Sequence, residues 1–165
     1  MTDVAALFNR LTLGVYVVGV AHGERRDAFT AAWVMQASYD PPLLVVSVSP
    51  SNASFPLFHD GGAFTVNVLK RGQLVHARHF GTLSGRDRDK LEGFAWHAGR
   101  GGAPVLDDAL AYFECEVTES RPAGDHVLVT GRVVGGRVLV ADGTPMRYAE
   151  TGDMDGSSAL YPARL

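Results

Sequence analysis

The chain is poor in cysteine, in long apolar runs and in surplus positive charge, and each shortage closes off a class of protein. Its 165 residues include one cysteine, Cys115, which excludes an intramolecular disulfide and any zinc site built on two or more thiolates. No apolar run approaches the roughly 18 residues of a membrane-spanning helix, so no membrane association is expected. Fifteen Lys and Arg against 18 Asp and Glu leave a net charge of −3, whereas a nucleic-acid binder would show a basic surplus or stripe. The N-terminal stretch MTDVAALFNRLT has neither a basic region nor a continuous apolar run. No signal peptide is therefore expected, and a cytoplasmic setting is. Missing too are the P-loop pattern G-x-x-x-x-G-K-S/T, the nucleophile elbow G-x-S-x-G and the H-E-x-x-H zinc motif. Of six histidines, only His76 and His79 fall close together, at i, i+3. With no Glu or Cys beside them they read as a solvated pair, and no metal site is expected. Gly99-Arg100-Gly101-Gly102 is followed by no helix, so it reads as a loop and not a dinucleotide fingerprint.

What is present is globular. The chain is 46% hydrophobic and 20% charged, long enough for one domain spanning 1–165. Nineteen glycines and eight prolines imply many turns and short strands. Val4, Leu7, Phe8 and Leu11 follow the spacing of one helix face, with Thr2 or Asp3 as cap and Gly14 as terminator. Strands are expected over Val15–Val20, Ala28–Met35, Leu43–Val48, Phe64–Leu69 and Leu110–Glu119. The nearly continuous apolar run Leu43–Val48 suggests burial on both faces. His126–Val134 and Val138–Val140 are expected to form a hairpin about Gly135-Gly136. Short helices are expected from Ser51, as N-cap, and over Gln73–Phe80. There is no alternation of strands with long helices. The fold class is therefore mainly β: an antiparallel barrel over about 12–141, with short flanking helices and a polar tail over 142–165.

Two stretches carry chemistry. Phe29-Thr30-Ala31-Ala32-Trp33 is a run of small residues ending in a large aromatic. Small side chains let a flat ring lie against the backbone, though a strand facing a crowded core has the same pattern. Ser47-Val48-Ser49-Pro50-Ser51-Asn52-Ala53-Ser54 gathers hydroxyls at a strand-to-helix junction, where free N–H groups suit a phosphate. An ordinary N-cap is the alternative. Joined by a short connection, the two stretches can face one cavity that takes a ring at one end and a phosphate at the other, which is the shape of FMN.

The sequence resembles the flavin reductase-like family of FMN-binding split barrels. The motifs run in order: Gly14-Val15-Tyr16-Val17-Val18; Ala28-Phe29-Thr30-Ala31-Ala32-Trp33; Ser38-Tyr39-Asp40-Pro41-Pro42-Leu43; Phe64-Thr65-Val66-Asn67-Val68-Leu69; Gly102-Ala103-Pro104-Val105-Leu106; Glu114-Cys115; and Gly124-Asp125-His126. Ala28 stands where the family usually has Gly, and Ala32-Trp33 replaces Asn-Ser, so the ring contacts would have to come from backbone. Trp33-Val34-Met35-Gln36 and the tail Glu150–Ser158 are similar to a branch of FMN-binding flavoproteins and reductase modules fused to flavodiiron proteins.

The resemblance implies an antiparallel split β-barrel that binds FMN, with FAD as the alternative. It implies Thr30, Ala31 and Ala32 against the isoalloxazine, and Gln36 toward the ribityl chain or ring edge. Ser47 and Val48 would lie near the flavin, with Ser47 and Ser49 read as facing opposite sides of a strand. Ser51, Asn52 and Ser54 would hold the phosphate, and His126 would stand where the nicotinamide of NADH or NADPH stacks. Asn67 reads as bonding a neighbouring loop, with the flavin as the alternative; Lys90 and Arg88 read as members of a solvated charge run, with a contact to the phosphate as the alternative; and Cys115 reads as a small buried hydrophobe. The implied function is an NAD(P)H-dependent flavin reductase, a homodimer that supplies reduced flavin to a partner oxygenase. The alternative is a non-enzymatic FMN electron carrier serving a redox partner.

Overall fold

The computed structural model describes residues 3–165; Thr2, one of the two expected caps, lies outside them. Helix α1 (Val4–Phe8) is capped by Asp3, whose carboxylate accepts the Ala6 N–H. It ends a turn earlier than the apolar spacing suggests, because only Val4 is buried while Leu7, Phe8 and Leu11 stay exposed. Strands β1 (Tyr16–His22), β2 (Arg25–Ala31), β3 (Val34–Ser38), β4 (Leu43–Val48) and β5 (Ala63–Val68) follow. After them come helix α2 (Leu74–Thr82), the short strands β6 (Trp96–Ala98) and β7 (Pro104–Leu106), and the long strands β8 (Ala111–Ala123) and β9 (His126–Val138). No helix among the described residues is long and apolar enough to cross a membrane.

The architecture is the expected one, mostly β and antiparallel. Seven strands form one sheet in the order β2-β1-β5-β8-β9-β4-β3. The expected single segment Ala28–Met35 is in fact two strands broken at Ala32-Trp33, and they lie on opposite edges of that sheet. A flat sheet would hold those edges roughly 29 Å apart at about 4.8 Å per strand. The three Cα steps from Ala31 to Val34 reach at most about 11 Å, so the sheet must curl until its edges nearly meet. The Ser47 N–H, at the end of β4, donates to the Trp33 carbonyl at 3.0 Å and holds the crossover in place. The result is a barrel split between β2 and β3.

Two apolar clusters sit on the two faces of the curled sheet. Val18, Val20, Phe64, Val66, Cys115 and Val129 fill one, and Val15, Val17, Leu69, Phe80, Leu106 and Met146 the other. Each such buried side chain contributes about 1.5–3 kcal/mol. Strand β1 supplies both clusters and is buried on both faces. Strand β4, for which that was expected, alternates between buried and half-buried positions, because no second layer covers its outer side.

The β8–β9 turn is also relocated. The hairpin closes at Gly124-Asp125, with Gly124 at φ 64°, a conformation that glycine reaches without strain. Gly135 and Gly136 lie inside β9, paired with Glu114 and Phe113 beside a bulge. Gly19 in β1 has a different use: a Cβ there would run into the Pro104 carbonyl and the Thr65 hydroxyl. Its absence lets the β6–β7 layer lie flat on the sheet. Thr65 donates to the Pro104 carbonyl, and Asn67 completes the clamp, donating to Val17 O at 3.0 Å and accepting from Leu106 N–H at 2.8 Å. Asn67 thus bonds strands β1 and β7, where a neighbouring loop was expected.

Candidate functional site

A cavity of about 720 Å³ opens where the sheet edges meet, within the roughly 300–1,000 Å³ range of small-molecule sites. One wall is the end of β2, the Ala32-Trp33 crossover, the end of β4 and the first residue of β9. The other wall comes from the segment Phe8–Leu13 and from the tail between Arg147 and Tyr161. Thr30, Ala31, Ala32, Ser47, Val48, Asn52 and His126 all line this space, so most of the residues singled out from the sequence are brought together. Ser47 and Ser49 both line it, against the expectation that they face opposite sides, because residues two apart on a strand share a face.

Three of the expected residues lie elsewhere. Gln36 is exposed on β3 and its amide donates to the Ser38 carbonyl at 3.4 Å. Ser54 is fully buried, and its hydroxyl donates to Asp27 Oδ2 at 2.7 Å. Ser51 is exposed, with its oxygen 2.8 Å from that of Ser49. No helix begins at Ser51. The segment is a turn followed by a three-residue 3-10 helix, Phe55–Leu57, whose N-cap is Ser54. The proline at its start and the glycines soon after it stop anything longer. No α-helix N-terminus therefore faces the cavity at this end, contrary to the expected phosphate cradle. What remains at that end is the Ser49 hydroxyl and the Asn52 amide, whose oxygen already accepts Ser54 N–H at 2.9 Å; Arg86 lines a separate depression and donates to Ser51 O at 3.0 Å.

Side-chain bonds decide what the cavity offers a ligand. Thr30 Oγ1 donates to Ala77 O in α2 at 2.7 Å, so this hydroxyl is already committed and β2 presents backbone. As a sheet edge, β2 keeps alternate N–H and C=O groups free of a partner strand. His126 Nδ1 donates to Asp125 Oδ1 at 2.7 Å. That hydrogen bond, and then the imidazole's charge, hold the Asp125 carboxyl below its ordinary value. The bond leaves Nε2 of His126 uncommitted. Tyr148 places its hydroxyl 3.0 Å from Ser157 Oγ on the tail wall, and burial pushes its pKa up, so it stays a neutral phenol. Phe8 stacks on Tyr161 with ring centroids 5.2 Å apart, tying the two chain ends across that wall. Arg10 and Arg147 also line the cavity.

The tail's place in the cavity wall was not legible in the sequence. The tail is polar and without period, and the Phe8–Tyr161 pair that seats it has no local signature. Lys90, read as part of a solvated run, is instead 3% exposed with Nζ 3.7 Å from Asp27 Oδ1. Burial lowers its pKa, and the Asp27 charge opposes that shift. The i, i+3 histidines are not a solvated pair either. His76 bonds Asp108 at 2.8 Å and His79 bonds the Lys90 carbonyl at 2.7 Å.

Residues 8–156 match the model of the family described as flavin reductase like domain. The putative diflavin flavoprotein A 6 of Nostoc sp. is 38% identical over 154 residues, which are 92% of this chain and 27% of that protein. The high molecular weight rubredoxin of Moorella thermoacetica is 36% identical over 149 residues, 89% of this chain and 64% of its own. Among solved structures, the Streptomyces globisporus C-1027 NADH:FAD oxidoreductase SgcE6 superposes with a TM-score of 0.81 at 27% identity, covering 88% of this chain and 86% of its own. The chain spans about a quarter of the length of the diflavin flavoprotein it matches.

Proposed function

The chain belongs to the flavin reductase-like family, and from that footing we propose that it binds a flavin in the cavity at the barrel split and reduces it with NADH or NADPH. One observation carries this reading. The small-residue crossover Ala31-Ala32, the serines that end β4, and His126 converge on a single cavity of about 720 Å³. These residues fit a flavin. Ala31 and Ala32 leave the edge of β2 open to a flat ring. Ser49 and Asn52 offer donors to a phosphate, and Arg10 and Arg147 add positive charge to the other wall.

Bound flavin supplies the hydride acceptor; the chain supplies position. Hydride transfer needs the donor carbon held at near-attack distance, and orientation provides most of the rate gain. His126, fixed by Asp125, stands at the mouth as the group that places the nicotinamide. FMN is the flavin proposed first and FAD second. A homodimer, a cytoplasmic setting and a partner oxygenase or other redox protein complete the proposal.

A second reading is favoured by the diflavin flavoprotein and rubredoxin relatives: a tightly held FMN that passes electrons to a redox partner without meeting NADH. Anaerobic mixing of the purified chain with FMN and NADH, followed in the flavin absorption band, separates the two. Rapid bleaching supports the reductase. Tight flavin binding with slow bleaching supports the carrier. Protein that takes up no FMN defeats both.

A further inference from the structure

Trp33 is a large aromatic side chain left 46% exposed at the cavity mouth. Its backbone is fixed, because its carbonyl accepts the Ser47 N–H, which extends the β3–β4 pairing by one residue. Among the described residues its indole lies against the ring of His126 alone, with centroids 4.8 Å apart and planes tilted by 53°. The fold thus anchors the residue through its main chain and leaves an indole face free in a site whose neighbouring imidazole is already held by Asp125. Among side chains, indole attracts a cation over its face most strongly.

We infer that Trp33 is the specificity-determining residue for the hydride donor: its indole face takes the nicotinamide ring and favours the oxidised, cationic form. This rests on the reductase reading above. In the step it serves, the C4–H bond of a neutral dihydronicotinamide breaks. The hydrogen leaves with both bonding electrons to the flavin, which is reduced and takes a proton from water. The nicotinamide is oxidised to a pyridinium. Positive charge therefore grows on the ring that lies on the indole. The neutral donor gains stacking alone, while the developing cation gains stacking and the attraction of the aromatic face. A contact that strengthens along the reaction raises the rate as well as the affinity.

The test uses the full FMN-loaded chain and the substitutions Trp33→Ala and Trp33→Phe. Calorimetry gives the Kd of the unreactive product NAD+. Anaerobic stopped flow gives the limiting rate with saturating NADH, and titration gives the FMN Kd. Trp33→Ala should raise the NAD+ Kd about tenfold, the loss expected for one aromatic contact, and slow the limiting rate several-fold. Trp33→Phe should recover most of both. The FMN Kd and the rate of reduction by dithionite should stay within about twofold. An unchanged NAD+ Kd in Trp33→Ala overturns the assignment, and so does a parallel loss of FMN affinity, which would put the indole in the flavin cradle. A native chain that holds FMN but neither binds NAD+ nor is reduced by NADH would instead overturn the reductase reading, and this inference with it.

Discussion

Ser54 Oγ lies 2.7 Å from Asp27 Oδ2, and both side chains are buried beside Lys90. The hydroxyl that looks like a phosphate ligand in the sequence is a partner for an interior carboxylate. Gly85 packs so closely on that carboxylate that a Cβ would collide with it.

Ser54→Ala should therefore act on stability. Removing a donor from a buried carboxylate costs about 1–3 kcal/mol, readable as a lower denaturation midpoint with an unchanged m-value. FMN affinity should stay within about twofold. A drop in FMN affinity at unchanged stability would return Ser54 to the site.

His126→Ala should slow reduction by NADH at least several-fold while FMN affinity barely moves. Reduction by dithionite, which needs no docking site, should be unaffected. Equal NADH rates in the variant and the native chain would remove His126 from the site and favour the electron-carrier reading.

The Asp125–His126 pair sets a pH dependence. The Asp125 carboxyl is held below its ordinary value, chiefly by the His126 hydrogen bond. A depressed carboxyl contributes stability that is present above its unfolded pKa and is lost as pH falls through the folded value. Carbon-13 NMR of the Asp125 carboxyl should show its inflection below the usual carboxylate range. In His126→Ala the inflection should move back up; an unmoved inflection would show that the pair does not form in solution.

Asn67→Ala should be among the most damaging single changes. It strands the Leu106 N–H and removes the bond to Val17 O, both buried. Together these losses amount to about 3 kcal/mol. Thermal melting should fall accordingly. Hydrogen exchange should quicken first at Leu106, where the β6–β7 layer loses its clamp.

Cys115 should be inert. Burial, and then the Glu114 charge, push its thiol up from 9.0 to about 12. Iodoacetamide at pH 8 should label it only after denaturation, and Cys115→Ser should leave flavin reduction intact. A raised thiol pKa contributes stability that is full below the unfolded value and declines as pH climbs through the folded one. The loss of stability between about pH 9 and 12 should thus be smaller in Cys115→Ala.

What the sequence by itself determined is whatever depends on neighbours along the chain. Strand β4 has the bounds its apolar run marks, β5 and α2 lie within a residue or two of theirs, and Asp3 caps α1. The mid-strand position of Asn67 and the strand setting of Cys115 were equally readable, because period and turn chemistry are local properties. The small-residue run Ala31-Ala32 pointed to the cavity for the same reason, whereas Gly124-Asp125-His126 did so only through the family resemblance. Only the tertiary structure decided where β2 and β3 go. Two adjacent extended stretches look like one strand until the sheet's closure sends them to opposite edges. It also made Gly135-Gly136 a strand interior, turned Ser54 inward to Asp27, buried Lys90, and seated a periodless tail on Phe8 through Tyr161. Each of these is set by a contact between residues far apart in sequence, whose free energy leaves no pattern in either segment alone.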